Sequence, residues 1–189
     1  MSKVLVLTIA LMLPRLSSAT VVPLDVWLQF SFLDVDEPAM GCEPADPDGL
    51  FCDASSSGNS SFLEPPPWIF FAPAGLVTQF IITDAFEAGD RFQVFDFGSP
   101  IGSTSPAVPE SAFCGSDPAS CVLNPAMSRA MFDIAAGEQH SITIVPLASP
   151  FGAGSAYLRV EVVPEPAGVA LTAAGALALA IAAWMRRTS

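Results

Sequence analysis

His140 is the only histidine of the chain, and it stands beside Ser141 with Glu138 two residues before it. Serine, histidine and a carboxylate are the residue types of a nucleophilic triad, where the base must reach the hydroxyl and the acid must hold the base. The spacing opposes that chemistry. His140 opens an alternating apolar run, and adjacent residues of a strand point to opposite faces of a sheet. No G-x-S-x-G segment is present, so His140 is read as a turn or strand-end residue and no catalytic residue is assigned. Two carboxylates at a fixed separation would serve glycoside hydrolysis, but with nineteen acidic residues any two pair by chance. Alternating acids are better suited to calcium, which takes oxygen ligands from loops. Asp34-Val35-Asp36-Glu37 and Asp46-Pro47-Asp48-Gly49 are of this kind, although neither completes the D-x-D-x-D-G loop with its distal glutamate. Solvated acidic loops are the simpler account of both.

Four cysteines remain, Cys42, Cys52, Cys114 and Cys121. Zinc would require C-x-x-C-like spacing and histidine partners, which the sequence lacks. Cys42 and Cys52 share one loop rich in Pro, Asp and Gly, and Cys114 and Cys121 share another far along the chain. Of the three possible connectivities, two local disulfides are therefore expected. Trp27, Trp68 and Tyr157 could stack on a sugar, with Trp68 presented by Pro65-Pro66-Pro67. Both tryptophans precede apolar runs, which favours a core position. Asn59-Ser60-Ser61 is a formal N-glycosylation sequon.

Seven runs rich in Val, Ile, Phe and Thr must position these residues: 26–33, 68–71, 76–83, 91–97, 130–134, 140–145 and 157–163. Between them lie Glu87-Ala88-Gly89-Asp90, Gly98-Ser99-Pro100, Ala136-Gly137-Glu138 and Gly152-Ala153-Gly154, which carry turn residues. No helical period appears there. The fold class is mainly β, a one-domain antiparallel β-sandwich over residues 20–163. In the run 91–97, Phe92, Val94 and Asp96 face one way and Gln93, Phe95 and Phe97 the other, so both faces carry aromatics. Residues 20–163 hold three arginines against eighteen acids, a net of −15, so phosphate backbones are repelled and nucleic acid is excluded as a partner.

Much of the 51% hydrophobic content sits at the two ends. Residues 1–19 read as a signal peptide: Lys3 precedes an apolar run over 4–13, and Ser17-Ser18-Ala19 offers signal peptidase its small residues, with cleavage after Ala19. Ten apolar residues are too few for a span, which needs about 20. At the other end, Val163-Pro164-Glu165-Pro166 precedes an uncharged run over 167–185 and then Arg186-Arg187. Nineteen helical residues cover roughly 28 Å, enough for the hydrocarbon core. The arginine pair sets the cytoplasmic side and leaves 20–163 outside. Exported cysteines are expected to be oxidised.

The order of a Pro-Glu-Pro tripeptide, one apolar helix and a terminal arginine pair resembles the PEP-CTERM sorting domain of Gram-negative surface proteins, over residues 163–189. The resemblance implies an exosortase as processing partner, with Val163, Pro164, Glu165, Pro166, Arg186 and Arg187 as the sorting residues. It also suggests a setting of exopolysaccharide. Pro164 and Pro166 hold the segment extended and outside the helix, where a processing enzyme can grip it. Within 68–163, Thr83-Asp84-Ala85-Phe86, then Gly89-Asp90-Arg91-Phe92-Gln93-Val94-Phe95-Asp96 and the Cys114-Gly115 corner are similar to the jelly-roll plan of CUB-type modules. That similarity implies a calcium site gathered from Asp84, Asp90 and Asp96 at one end of the sandwich, and no activity. No other cofactor is expected. The sequence thus describes an exported, membrane-anchored, noncatalytic surface protein, structural or adhesive in a polysaccharide matrix. A carbohydrate-binding module is the alternative, and a secreted hydrolase a more distant one.

Overall fold

A computed structural model describes residues 19–42, 52–106 and 112–163. Its strands are β1 (Thr20–Val21), β2 (Trp27–Phe32), β3 (Met40–Gly41), β4 (Ser60–Phe62), β5 (Trp68–Phe71), β6 (Val77–Asp84), β7 (Phe86–Glu87), β8 (Arg91–Asp96), β9 (Ser99–Ser103), β10 (Phe113–Gly115), β11 (Arg129–Ile134), β12 (Gln139–Ala148) and β13 (Gly154–Val163). One short helix, α1 (Pro118–Leu123), follows β10. The chain is mainly β, and each of the seven runs expected from the sequence falls on an observed strand. One sheet has the order β1-β5-β12-β8-β9 and the other β11-β6-β13-β2-β3, with β4 alongside β2. All the long strands pair antiparallel.

Alternation along the strands makes the core. On β8, Phe92 and Val94 are fully buried, and on β12 Ile142 and Ile144 meet them from the next strand. The other sheet contributes Leu28, Phe30 and Phe32 from β2 and Phe80 and Ile82 from β6. Rings interlock across the gap: Phe30 lies 5.5 Å from Trp68 and 5.8 Å from Phe92, and Phe70 stacks on Phe80 at 6.4 Å. These contacts make the two sheets the layers of a sandwich. Strand β2 is buried along its whole length because its second face is covered too. There, Trp27, Ile81, Ala85, Cys121 and Tyr157 form a smaller cluster under α1.

Two features depart from the sequence expectation. Gly98-Ser99-Pro100 is not wholly a turn: Phe97 and Gly98 make the reversal, and Ser99 already pairs with Asp96. Helix α1 was not foreseen, since six residues are too few to leave a period. It is started by Asp117, whose side chain accepts from Ala119 N, and by Pro118 in its first turn. The segments 1–18 and 164–189, with the sorting residues Pro164, Glu165, Pro166, Arg186 and Arg187, lie outside the described residues, as do Asp46 and Asp48. Among the described residues no helix is long and apolar enough to cross a membrane.

Candidate functional site

Three places hold the residues singled out for chemistry. The first is the end of the sandwich where β6 stops and β8 starts. Asp84 closes β6 fully buried, and its carboxylate accepts from the backbone N–H groups of Ala85, Gly89 and Asp90 at 2.9 to 3.0 Å. The loop can wrap that carboxylate because Gly89 has a φ of 155°, a conformation that side chains rarely adopt. Asp90 is only 5% exposed, and its Oδ1 has no hydrogen-bond partner among the described residues. Burial pushes both carboxyls up, Asp84 to about 8, with the Asp90 charge adding to the shift, and Asp90 to about 6. A cavity of about 260 Å³ lies against Asp90, with Asp53, Glu87, Phe86 and Phe151 on its walls.

Asp96 does not join this pair. Asp90 immediately precedes β8 and Asp96 ends it, so about 3.3 Å of rise per residue puts the two acids near opposite ends of the sandwich. The three acids implied by the CUB-type similarity therefore do not gather, and among the described residues no three His, Cys, Asp or Glu side chains converge as metal ligands. Asp34 and Asp36 lie in the bend after β2, where Asp34 caps its own turn by accepting from Val35 N at 2.8 Å.

The second place is built around Asp96. Its Oδ2 lies 2.7 Å from His140 Nδ1, and its Oδ1 accepts from Ser141 N at 2.9 Å. His140 Nε2 donates to the Ala135 carbonyl at 2.9 Å, and the ring stacks on Phe70 at 5.2 Å. His140 is 3% exposed, so neither nitrogen is open to a nucleophile, and the partner of the ring is Asp96 rather than Glu138 or Ser141. The arrangement clamps β8 to β12 at their ends. Sequence reasoning missed Asp96 in this role because the two residues are 44 apart and meet only through the β8–β12 register.

The third place is the outer face of the six-stranded sheet. Trp27 of β2 lies beside Arg159 of β13, which pairs with Ile81 of β6, which pairs with Met131 of β11. The next row along the strands is polar, with Glu161, Gln79 and Asp133 side by side. Helix α1 walls this surface with Val122 and Leu123, leaving a groove of about 660 Å³. The Arg159 guanidinium sits over the Trp27 ring at 5.9 Å and pairs with Glu161 at 3.3 Å and Asp25 at 3.8 Å. Gln79 donates to Asp133 at 3.0 Å. The aromatics considered for sugar stacking, Trp27, Trp68 and Tyr157, are all buried core residues, as expected for the two tryptophans, and of the three only Trp27, 8% exposed, also borders this groove.

Two disulfides stand beside these sites, Cys42 to Cys52 and Cys114 to Cys121, the local pairs read from the loops. The loop after Cys52 docks on the N-terminus of α1: Asn59 Nδ2 and Ser57 Oγ donate to Asp117 at 2.7 and 3.1 Å. The hydrogen bond from Asn59 first, then that from Ser120 Oγ at 2.8 Å and that from Ser57, hold the Asp117 carboxyl below its usual range. The sequon asparagine thus has its amide nitrogen occupied in a structural contact. Comparison with known protein families, with characterised proteins and with solved structures finds no match to this chain.

Proposed function

We propose that this chain is an exported, noncatalytic surface module, anchored by its C-terminal apolar run and processed by an exosortase at Pro164-Glu165-Pro166. Its role is structural or adhesive, in an extracellular polysaccharide matrix. The observation that carries export is the pair of local disulfides, since such bonds form and persist outside the reducing cytoplasm. The apolar run over 167–185 and the arginine pair after it support the anchor and its direction.

The connectivity supports a jelly-roll-like sandwich. Counting β2, β5, β6, β8, β9, β11, β12 and β13 as eight strands, the sheets run first-eighth-third-sixth and second-seventh-fourth-fifth, the order of two interlocked Greek keys. The deciding experiment is the Pro164→Ala, Glu165→Ala, Pro166→Ala triple variant in a host that carries an exosortase. None of the three lies in the apolar run, so insertion continues while maturation stops, and a longer membrane-bound precursor accumulates. A triple variant that matures like the parent makes the tail an ordinary anchor.

A sugar-binding role is the second reading, favoured by the groove that combines Trp27 with the polar row Glu161, Gln79 and Asp133. A glycan array on the full chain and on its Trp27→Ala variant separates the two readings. Specific binding that the variant loses selects the module, and silence from both selects the structural role.

A further inference from the structure

We propose that the end of the sandwich from which β13 departs rests on the bilayer surface, with Leu76 and Phe97 as its lipid contacts. This deepens the anchored reading and rests on it. Strand β13 ends at Val163, and the apolar run begins at Ala167. Four extended residues reach at most roughly 14 Å, so a span starting at Ala167 holds this end of the domain against the headgroups. The direction of β13, a central strand fixed between β6 and β2, decides which end that is.

The end is built from turns that the register brings together. Val77 opens β6 opposite Val163. The β5–β6 turn is tied to the β11–β12 turn by Ala72 N to the Glu138 carbonyl at 3.0 Å and Gly137 N to the Ala72 carbonyl at 2.8 Å. The β8–β9 turn is tied to β12 by Phe97 N to the Ser141 carbonyl at 2.9 Å. Turn tips ordinarily carry Gly, Asn, Asp, Ser or Pro. These carry Leu76, 43% exposed, and Phe97, 65% exposed. Phe97 also has a φ of 45°, a left-handed conformation that is uncommon for a bulky residue. An aromatic ring placed at a hairpin tip at that cost gains nothing in water, whereas the interfacial layer of a bilayer accepts it. Asp25, Asp133 and Glu138 are exposed around the same end, so the lipid surface it fits is zwitterionic rather than anionic.

The test uses the full chain in vesicles of phosphatidylethanolamine and phosphatidylcholine. Both disulfides are intact and no cysteine among the described residues is free, so one nitroxide can be placed in turn at Leu76→Cys, Phe97→Cys and Phe151→Cys. Phe151 is 61% exposed in the β12–β13 turn at the opposite end and serves as the control. The expected result is an oxygen-to-nickel accessibility ratio severalfold higher at 76 and 97 than at 151. Equal, water-like ratios at all three in a chain that resists carbonate extraction overturn this proposal and leave the anchor standing. Release by carbonate overturns the anchor and this proposal together. Spin–spin broadening at 97 without a rise in oxygen access also overturns it, by making the end a contact between copies of the chain.

Discussion

Asp84 and Asp90 are buried carboxyls of one short loop, and their environment works against charge. In the unfolded chain both have the ordinary value of 3.8, whereas in the fold Asp84 is raised to about 8 and Asp90 to about 6. The folded state therefore keeps protons that the unfolded chain has released. Their contribution to stability is fully present below about pH 4 and is lost as pH rises through about 6 and then 8. The urea midpoint should fall across that window. At pH above the window, Asp90→Asn removes one poorly partnered buried carboxylate and should stabilise by about 1–3 kcal/mol, while flattening the pH dependence. A midpoint that rises with pH would contradict the assignment. His140 is a buried polar group with both ring nitrogens bonded. His140→Ala leaves the Asp96 carboxylate without its ring partner and opens a cavity against Phe70, so a loss of about 2–4 kcal/mol is expected by urea denaturation. An unchanged midpoint would mean that the clamp contributes nothing.

At the scale of elements, the outer cluster depends on pieces too short to fold alone. Helix α1 has six residues and is held by the Cys114–Cys121 disulfide, the Asp117 cap and the loop that Asn59 docks on it. Peptide mapping without reduction should link Cys42 to Cys52 and Cys114 to Cys121. A cross-pair such as Cys42 to Cys114 would dismantle this arrangement. Replacing Asp117 by Ala removes the cap and the acceptor of Asn59 and Ser57 together. The expected cost is about 1 kcal/mol, with proteolysis appearing first in the segment after Cys52. The same short elements explain what sequence periodicity missed. Strand β9 carries Ser99, Pro100 and Gly102, turn-forming residues, and it is a strand because β8 beside it supplies the partner. Gly102 is further required by packing, since a Cβ there would collide with the Phe132 ring.

For the whole molecule, the acidic sandwich lies in sequence between the two apolar ends that the proposed function assigns to export and anchoring. On that proposal, orientation rests on Arg186 and Arg187. Replacing both by Glu should weaken retention or invert the topology, seen as protease protection of the body in intact cells. Continued exposure of the body outside would show that other features set direction. The acidic body should also bind no nucleic acid at moderate salt.

The sequence by itself determined the strand content, because alternation such as Phe92 and Val94 against Gln93 and Phe95 is a local consequence of the pleat. It also determined which cysteines share a loop, since closing a short loop needs only nearby residues. Tertiary structure alone decided which acids meet. Asp84 and Asp90 come together through one loop, whereas Asp96, six residues past Asp90, is carried along β8 to His140 at the other end. It decided likewise that Trp27, buried like Trp68, packs under α1 and borders a groove while Trp68 lies between the sheets, because an aromatic before an apolar run reads the same on either face of a sheet. Contacts between strands far apart in sequence depend on register and sheet order, and neither is encoded in any single window of residues.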